Sequence, residues 1–448
     1  MYIARRGIGF IGSCLVGSAV VMLAACAPPG AESDSLTTQR DSVMALTSID
    51  PARELLINDA SVVDDALYTT WDPAHSGSDP QGSWSFGRLI DNMVPDLLRN
   101  PYGRSLFIMS WLKTWEHDQT VNGLVIPARP LVRSQIIDPW RTASGCNLSA
   151  GDDRCVLDLS KAPFRLLAIV NRPDLRRVPM GRDPGHAGQG RFVFGVLGPT
   201  GQRLPFTVIF EYQLPISRRV DMLTWAQRWH ALSSVAFGPG YNARLQAVTR
   251  EFTKRNAAPG QVNGSALLQL RTNEVALSSS DPKLWELREF VLSRRWGILK
   301  PTTVKQEVDA SLNGSAALGA WVSQNSAAIL AGQHEVPPTW QGHPFLAASA
   351  PVPSTLAWVV PGASEDVRHA FAGATCSGCH KPETGTSFLH VRTREVGSPA
   401  QLSAFLTDQL SPGGARVTDF SLLLNTGDAD SVGNGRGKDH PEDSPDDD

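Results

Sequence analysis

Five consecutive residues restrict this 448-residue chain more than any other stretch: Cys376-Ser377-Gly378-Cys379-His380. Two residues between the cysteines bring both thiols to one turn of chain, and the next residue adds an imidazole. Three chemistries use such a turn. The thiols can join the two vinyl groups of one porphyrin while the imidazole binds its iron from below. They can close a disulfide, alone or as a redox pair. They can also supply part of a zinc site, which needs further ligands. His390 offers one, but no second Cys-x-x-Cys and no histidine pair at zinc-finger spacing follows. A decayed site that keeps only the fold is the remaining alternative. One covalent haem c, with Cys376 and Cys379 as attachment points and His380 as proximal ligand, accounts for all three side chains.

The N-terminus carries an address. Arg5 and Arg6 precede nineteen uncharged residues, Gly7 to Ala25, rich in Ile, Val, Leu and Gly. A basic start followed by an apolar run is the pattern of a secretory signal. It ends on Leu23-Ala24-Ala25-Cys26, which resembles the lipobox of bacterial lipoproteins. That resemblance implies a signal peptide over 1–25, cleavage before Cys26 and lipid on the Cys26 thiol. A plain transmembrane anchor is the alternative, since nineteen residues nearly span a bilayer. The small residues before Cys26 favour the lipobox. Residues 26–50, with Pro28, Pro29, Gly30 and several serines, suit a flexible tether. Ala27 is not the Asp that holds such lipoproteins at the inner membrane. The expected location is the cell envelope, at the outer membrane or facing the periplasm, where covalent haem is also attached.

In that compartment cysteines pair. Of six cysteines, Cys14 leaves with the signal and Cys26 takes lipid. Cys146 and Cys155 bracket a polar, turn-forming stretch and are expected to form a disulfide; two buried thiols are the alternative. So short a loop would gain about 2.5–3 kcal/mol from the bridge. A net charge of −3 provides no basic surface for nucleic acid, so none is expected as a partner.

Periodicity predicts one large mixed α+β domain over 51–345. Apolar residues three and four apart predict helices over 86–98 and 102–115, with Pro95 a break or kink. Runs rich in Val, Ile and Phe predict strands over 164–171, 191–197 and 204–212. Helices over 220–236 and 241–255, a strand pair over 266–277 and 285–292, and a helix over 316–330 follow. The Pro- and Ala-rich segment 336–353 marks a boundary. Beyond it Ser364 can cap a helix through Phe371. Ser398 and Pro399 signal another, with Leu402, Phe405, Leu406 and Leu410 on its apolar face. Residues 426–448 read as a disordered acidic tail.

A capped helix, then Cys376-Ser377-Gly378-Cys379-His380, then an amphipathic helix resembles a class I cytochrome c domain over about residues 364–411. The resemblance implies a small, mainly α-helical haem module over 346–425, electron transfer or redox sensing, and a redox partner protein. It departs from that family in lacking a distal Met, since the last Met is Met222. His390, ten residues past His380, is the expected second iron ligand, and His369 the runner-up. The alternatives are a haem-dependent oxidoreductase such as a peroxidase, and a non-redox surface-binding lipoprotein with a vestigial motif. The familiar di-haem peroxidases carry two such motifs, and this chain carries one.

Three charges sit within or beside apolar strands: Arg172, Arg191 and Glu211. Glu211 can pair with one or both arginines, either fixing register or completing an anion site. Trp225 and Trp229, four apart on one helix, read as core. Gly188 and Gly190 precede a strand and so make a poor phosphate cradle. Neither Gly-x-Ser-x-Gly nor His-Glu-x-x-His occurs. The acidic run from Asp428 lacks the later ligands of a calcium loop.

Overall fold

Five long segments rich in branched and aromatic residues are strands of one sheet. They are β2 (Phe164–Arg172), β3 (Gln189–Leu197), β4 (Arg203–Gln213), β5 (Leu267–Glu274) and β6 (Trp285–Leu292), counting β1 (Leu56–Ile57) as the first. Each pairs antiparallel with its neighbour in chain order. Two short strands share the outer edge of β6 end to end. β8 (Ala350–Val352) pairs with residues 285–287, and β7 (Leu299–Thr302) with residues 289–292. The fold is mixed α+β, as its patterning predicts. The computed structural model describes residues 47–75, 81–147, 155–177, 185–281, 283–352 and 357–427. The expected signal, Cys26, most of the tether and nearly all of the acidic tail lie outside them.

Successive residues of a strand face opposite sides, and here the sides differ. Phe192, Phe194, Phe206, Phe210 and Phe290 face a layer of helices. Phe86 stacks on Phe164 with centroids 4.0 Å apart and meets Phe194 and Phe210 edge-on. Trp111 and Trp115 close on Phe290. Trp225, on the helix Arg219–His230, packs against Phe252, on the helix Pro239–Thr253. Arg191, Thr207, Ile209, Glu211, Arg271, Asn273 and Leu287 face the other side, where C-terminal segments cover them.

Several helix ends differ from expectation for local reasons. The first helix stops at Met93 because Val94 precedes Pro95 and adopts an extended conformation; a 3-10 turn, Asp96–Leu98, follows. The next runs Pro101–Leu112, capped by Asn100, and tightens into a 3-10 turn through Trp115. The helix expected over 316–330 is two, Ala316–Gln324 and Ser326–Leu330, parted at Asn325.

The C-terminal region departs further. Ser364 caps Glu365–Ala374, but no helix starts at Ser398. Residues 391 and 402 form an isolated β-bridge, Arg392 N donates to Gln401 O, and Arg394 holds the Ser398 carbonyl. Those commitments keep 398–402 extended. The helix begins after Ser403, whose Oγ accepts from Leu406 N, and spans Ala404–Gln409. A further helix, Ala415–Thr426, was not anticipated; it ends at Gly427 in the left-handed region, φ 63°.

The described residues, from 47 to 427, belong to one compact unit. The boundary expected at 345/346 falls inside it. β8 joins the sheet directly after that point, and Val391, Leu406, Leu410, Phe420 and Leu423 share the sheet's hydrophobic core.

Candidate functional site

The Cys-Ser-Gly-Cys turn is built by its caps. Thr375 precedes the single helical turn Cys376–Cys379, and its Oγ1 accepts from Gly378 N at 3.0 Å. The same hydroxyl donates to Ala372 O at 2.7 Å. Trp358 Nε1 donates to Thr375 Oγ1 at 3.0 Å and to Ser377 Oγ at 2.9 Å. Only glycine fits at 378, because a Cβ there would overlap the Ala372 carbonyl oxygen. Ser377 N donates to Glu307 Oε2 at 3.0 Å. Burial pushes the Glu307 carboxyl up to about 7, against the lowering effect of donors from Ser377 and Cys376. Neither Cys376 nor Cys379 is in a disulfide, and burial pushes the Cys376 thiol up. Cys146 and Cys155 are joined to each other, with Cα atoms 5.7 Å apart.

His380 is held on two sides. Its Nδ1 donates to the Phe388 carbonyl at 2.5 Å, and Phe388 N returns a bond to His380 O at 3.1 Å. Phe388 has φ 65°, a left-handed conformation uncommon for a bulky residue. That geometry turns its carbonyl onto the ring, and such strain gathers at functional segments. The indole of Trp285 stacks on His380, with centroids 4.8 Å apart and planes 25° apart. An Nδ1–H given to a backbone carbonyl fixes the tautomer in which Nε2 is the metal-binding nitrogen.

His390 is brought to the same place. Its Nδ1 bonds Ser403 Oγ at 2.9 Å, and its Nε2 lies 3.5 Å from Cys379 Sγ. The His380 and His390 centroids are 4.4 Å apart. Two imidazoles sharing one metal at about 2 Å per bond stand roughly 6 Å apart, so here His390 flanks His380. His369 is not brought in. Its side chain is 60% exposed and pairs with Glu383 at 2.6 Å, beside Arg368.

Between this turn and the charged face of the sheet lies a cavity of about 180 Å³. Val170, Val193, Ile209, Leu287, Val391 and Phe405 give it apolar walls, and Cys376, Cys379, His380 and His390 line it. Arg172, Arg191, Arg271, Lys305 and Arg416 line it as well. Register decides their pairing. Arg191 lies opposite Glu211 and binds it at 2.9 Å. Arg172 lies opposite Gln189 and pairs with Asp174 at 2.7 Å. Burial alone would raise the Asp174 carboxyl; Arg172, backed by Arg416 and Arg191, overrides it and holds that group well below the usual carboxylate range. Arg271 bridges Glu211 at 3.5 Å and Glu289 at 2.9 Å, and Gln269 Nε2 donates to Glu211 at 2.7 Å.

Sequence reasoning missed Trp285, Glu307, Trp358, Phe388 and Ser403, which position the motif from outside it. It also missed Arg271, although this residue carries the same signal that marked Arg191, a charge inside an apolar strand. Arg416 and Lys305 gave no signal. Among the described residues no group of three or more His, Cys, Asp or Glu side chains is set to hold a metal ion. Among them, too, no helix is long and apolar enough to cross a membrane. No family model, curated protein or solved structure matches the chain.

Proposed function

We propose that the chain is a lipid-anchored protein of the cell envelope that carries one covalent haem c and passes single electrons to a redox partner protein. The observation carrying this reading is the pose of Cys376, Cys379 and His380 together on the wall of one cavity with apolar sides. The residues present suit the group. Two thiols outside any disulfide stand beside an imidazole whose Nδ1 is tied to backbone. Apolar side chains suit the faces of a macrocycle, and cationic ones suit its acidic arms. Bound haem would supply one-electron redox chemistry, while the protein sets potential and access.

His380 would serve as proximal ligand through Nε2, with Trp285 and the Phe388 carbonyl restraining rotation of its ring. His390, whose Nδ1 bonds the Ser403 hydroxyl, would be the second iron ligand. That role requires the two rings to separate from their present 4.4 Å. The resemblance to a cytochrome c module over 346–425 remains part of this reading, with one amendment: part of the pocket wall comes from the sheet.

The test is expression of the full chain with a cytochrome c maturation system, followed by a haemochrome spectrum. One haem per chain, bound through both cysteines, is expected; a chain that emerges without haem refutes the reading. Absence of peroxide turnover in the holoprotein would favour the carrier over the oxidoreductase. Cys26→Ser should move the protein from the membrane to the soluble fraction, because lipid would be its anchor.

A further inference from the structure

Of the 12 tryptophans, Trp296 alone is exposed, at 64%. A rigid turn holds it out. Trp296 sits at the tip of the hairpin joining β6 to β7, where Gly297 N donates to Ser293 O at 2.7 Å and Ser293 N to Ile298 O at 2.8 Å. Gly297 takes φ 65° there, and a Cβ on it would meet the Asn263 side chain. Asn263 Nδ2 donates to Gly297 O at 2.7 Å and to Met93 O at 2.8 Å. One side chain thus ties the hairpin tip to the segment after Met93. In that segment Leu97 is 91% exposed, more than any other large apolar side chain among the described residues. Tyr102 and Leu106, one turn apart on the helix Pro101–Leu112, are exposed as well, and this helix packs against β7. Arg294 and Arg295, both exposed, directly precede Trp296, and the Arg295 guanidinium lies over the indole, 4.9 Å from its centroid. Beside Leu97, Arg255 donates to Val94 O at 3.3 Å and pairs with Asp96.

We infer that this corner is a membrane-contact surface, with Trp296 and Leu97 entering an anionic lipid leaflet while Arg294 and Arg295 meet its phosphates. The inference builds on the reading that places the chain at a membrane. Single apolar side chains scattered over a surface call for no explanation. Here four stand on adjoining elements, and the largest lies under an arginine. An indole suits the boundary between headgroups and acyl chains, and arginines beside it gain from the negative surface potential. A protein partner would favour a contiguous apolar centre, whereas these side chains stand on separate turns. About 20 residues separate Cys26 from the first described residue, Thr47, a reach of up to about 75 Å. An anchor so distant leaves the orientation of the folded unit open, and the corner sets it.

Vesicle binding by the full chain carrying Cys26→Ser, purified after signal cleavage, tests the corner without the anchor. The probes are phosphatidylcholine vesicles with and without about one-third phosphatidylglycerol. At about 0.1 M salt the anionic vesicles should be bound at least about tenfold more tightly. Arg294→Gln with Arg295→Gln should remove most of that preference. Trp296→Ala with Leu97→Ser should weaken binding to the anionic vesicles at least about fivefold. Val396→Ser, at a side chain 65% exposed whose neighbour Gly397 bonds Asp64, should change nothing. All these positions lie on the surface, and circular dichroism verifies the fold. Absence of binding, or binding that survives both double variants, would overturn the inference. Self-association lost in Trp296→Ala, with no vesicle binding, would also overturn it and make the corner a contact between copies. Cell fractionation of Cys26→Ser tests the anchor separately, so either reading can fail alone.

Discussion

The two sides of the sheet are made by the same strands and do opposite things. On one side Phe192, Phe194, Phe210 and Phe290 pack with Phe86, Trp111 and Trp115, and nearly all of these are fully buried. Their cohesion is non-directional, so any well-packed apolar set of similar volume would hold the helices there. On the other side Arg191, Glu211, Arg271 and Glu289 form a charged row whose worth depends on each partner's position. Charge in a sheet interior stabilises poorly compared with apolar packing. The proposed site lies on this side, where two cysteines and two histidines stand beside the charged row, while the aromatic side builds the fold. Fold and site should therefore be separable by mutation.

The largest effect should come from Cys376→Ala with Cys379→Ala. Covalent haem should fall from one per chain to none, while denaturant midpoints of the apo forms shift by less than about 1 kcal/mol. Comparable loss of stability would mean that the motif turn is part of the core. Phe86→Ala attacks the other side, where it removes contacts with Phe164, Phe194 and Phe210. It should cost about 3–5 kcal/mol in urea unfolding and leave haem content per folded chain unchanged. Opening the Cys146–Cys155 bridge by double Ala substitution should cost about 2.5–3 kcal/mol and not touch the haem spectrum.

Acid–base behaviour supplies a smaller effect. Glu307 is raised by burial to about 7, so its folded state prefers the neutral form. Its stabilising contribution is complete below the ordinary value of 4.5 and fades as pH rises towards 7. His334, buried against Trp321, is lowered from 6.5 by burial. Stability from that neutral ring is complete above 6.5 and fades as pH falls below it. Glu307→Gln should remove the fall in stability between pH 4.5 and 7, and His334→Leu the fall below pH 6.5. Profiles indistinguishable from the parent would show both groups to be solvated. The smallest effect on stability belongs to His390→Ala, at under about 1 kcal/mol. Its readout is optical and electron paramagnetic resonance spectra of the holoprotein, where a change from low to high spin is expected. An unchanged spectrum would leave His390 as a neighbour of His380 and not an iron ligand.

Much of the helical and strand content was legible because its signals are local. β-Branched and aromatic runs marked β2, β3, β4 and β6 to within two residues at each end. Ser364 marked the helix that leads into the motif. The signal at Ser398 misled because capping residues announce only that a helix can start. Whether it does depends on competing partners, here the 391–402 bridge and the grip of Arg394. The last helix escaped notice because its buried side includes Arg416 and Asp419. Asp419 is tolerated there through its pair with Arg176 from a distant turn. The interior break at Asn325 had no proline or glycine to announce it.

By itself the sequence determined the α+β class, the strands, and the chemistry available at Cys376, Cys379 and His380, because residue type and spacing along one chain suffice for those. Tertiary structure alone decided that Trp285 backs His380, that Glu211 takes Arg191 and Arg271 while Arg172 goes to Asp174, and that Arg416 reaches the same cavity. The physical reason is register. A strand shifted by one residue turns every side chain to the other face, and nothing in a linear pattern states which residue of a neighbouring strand will stand opposite.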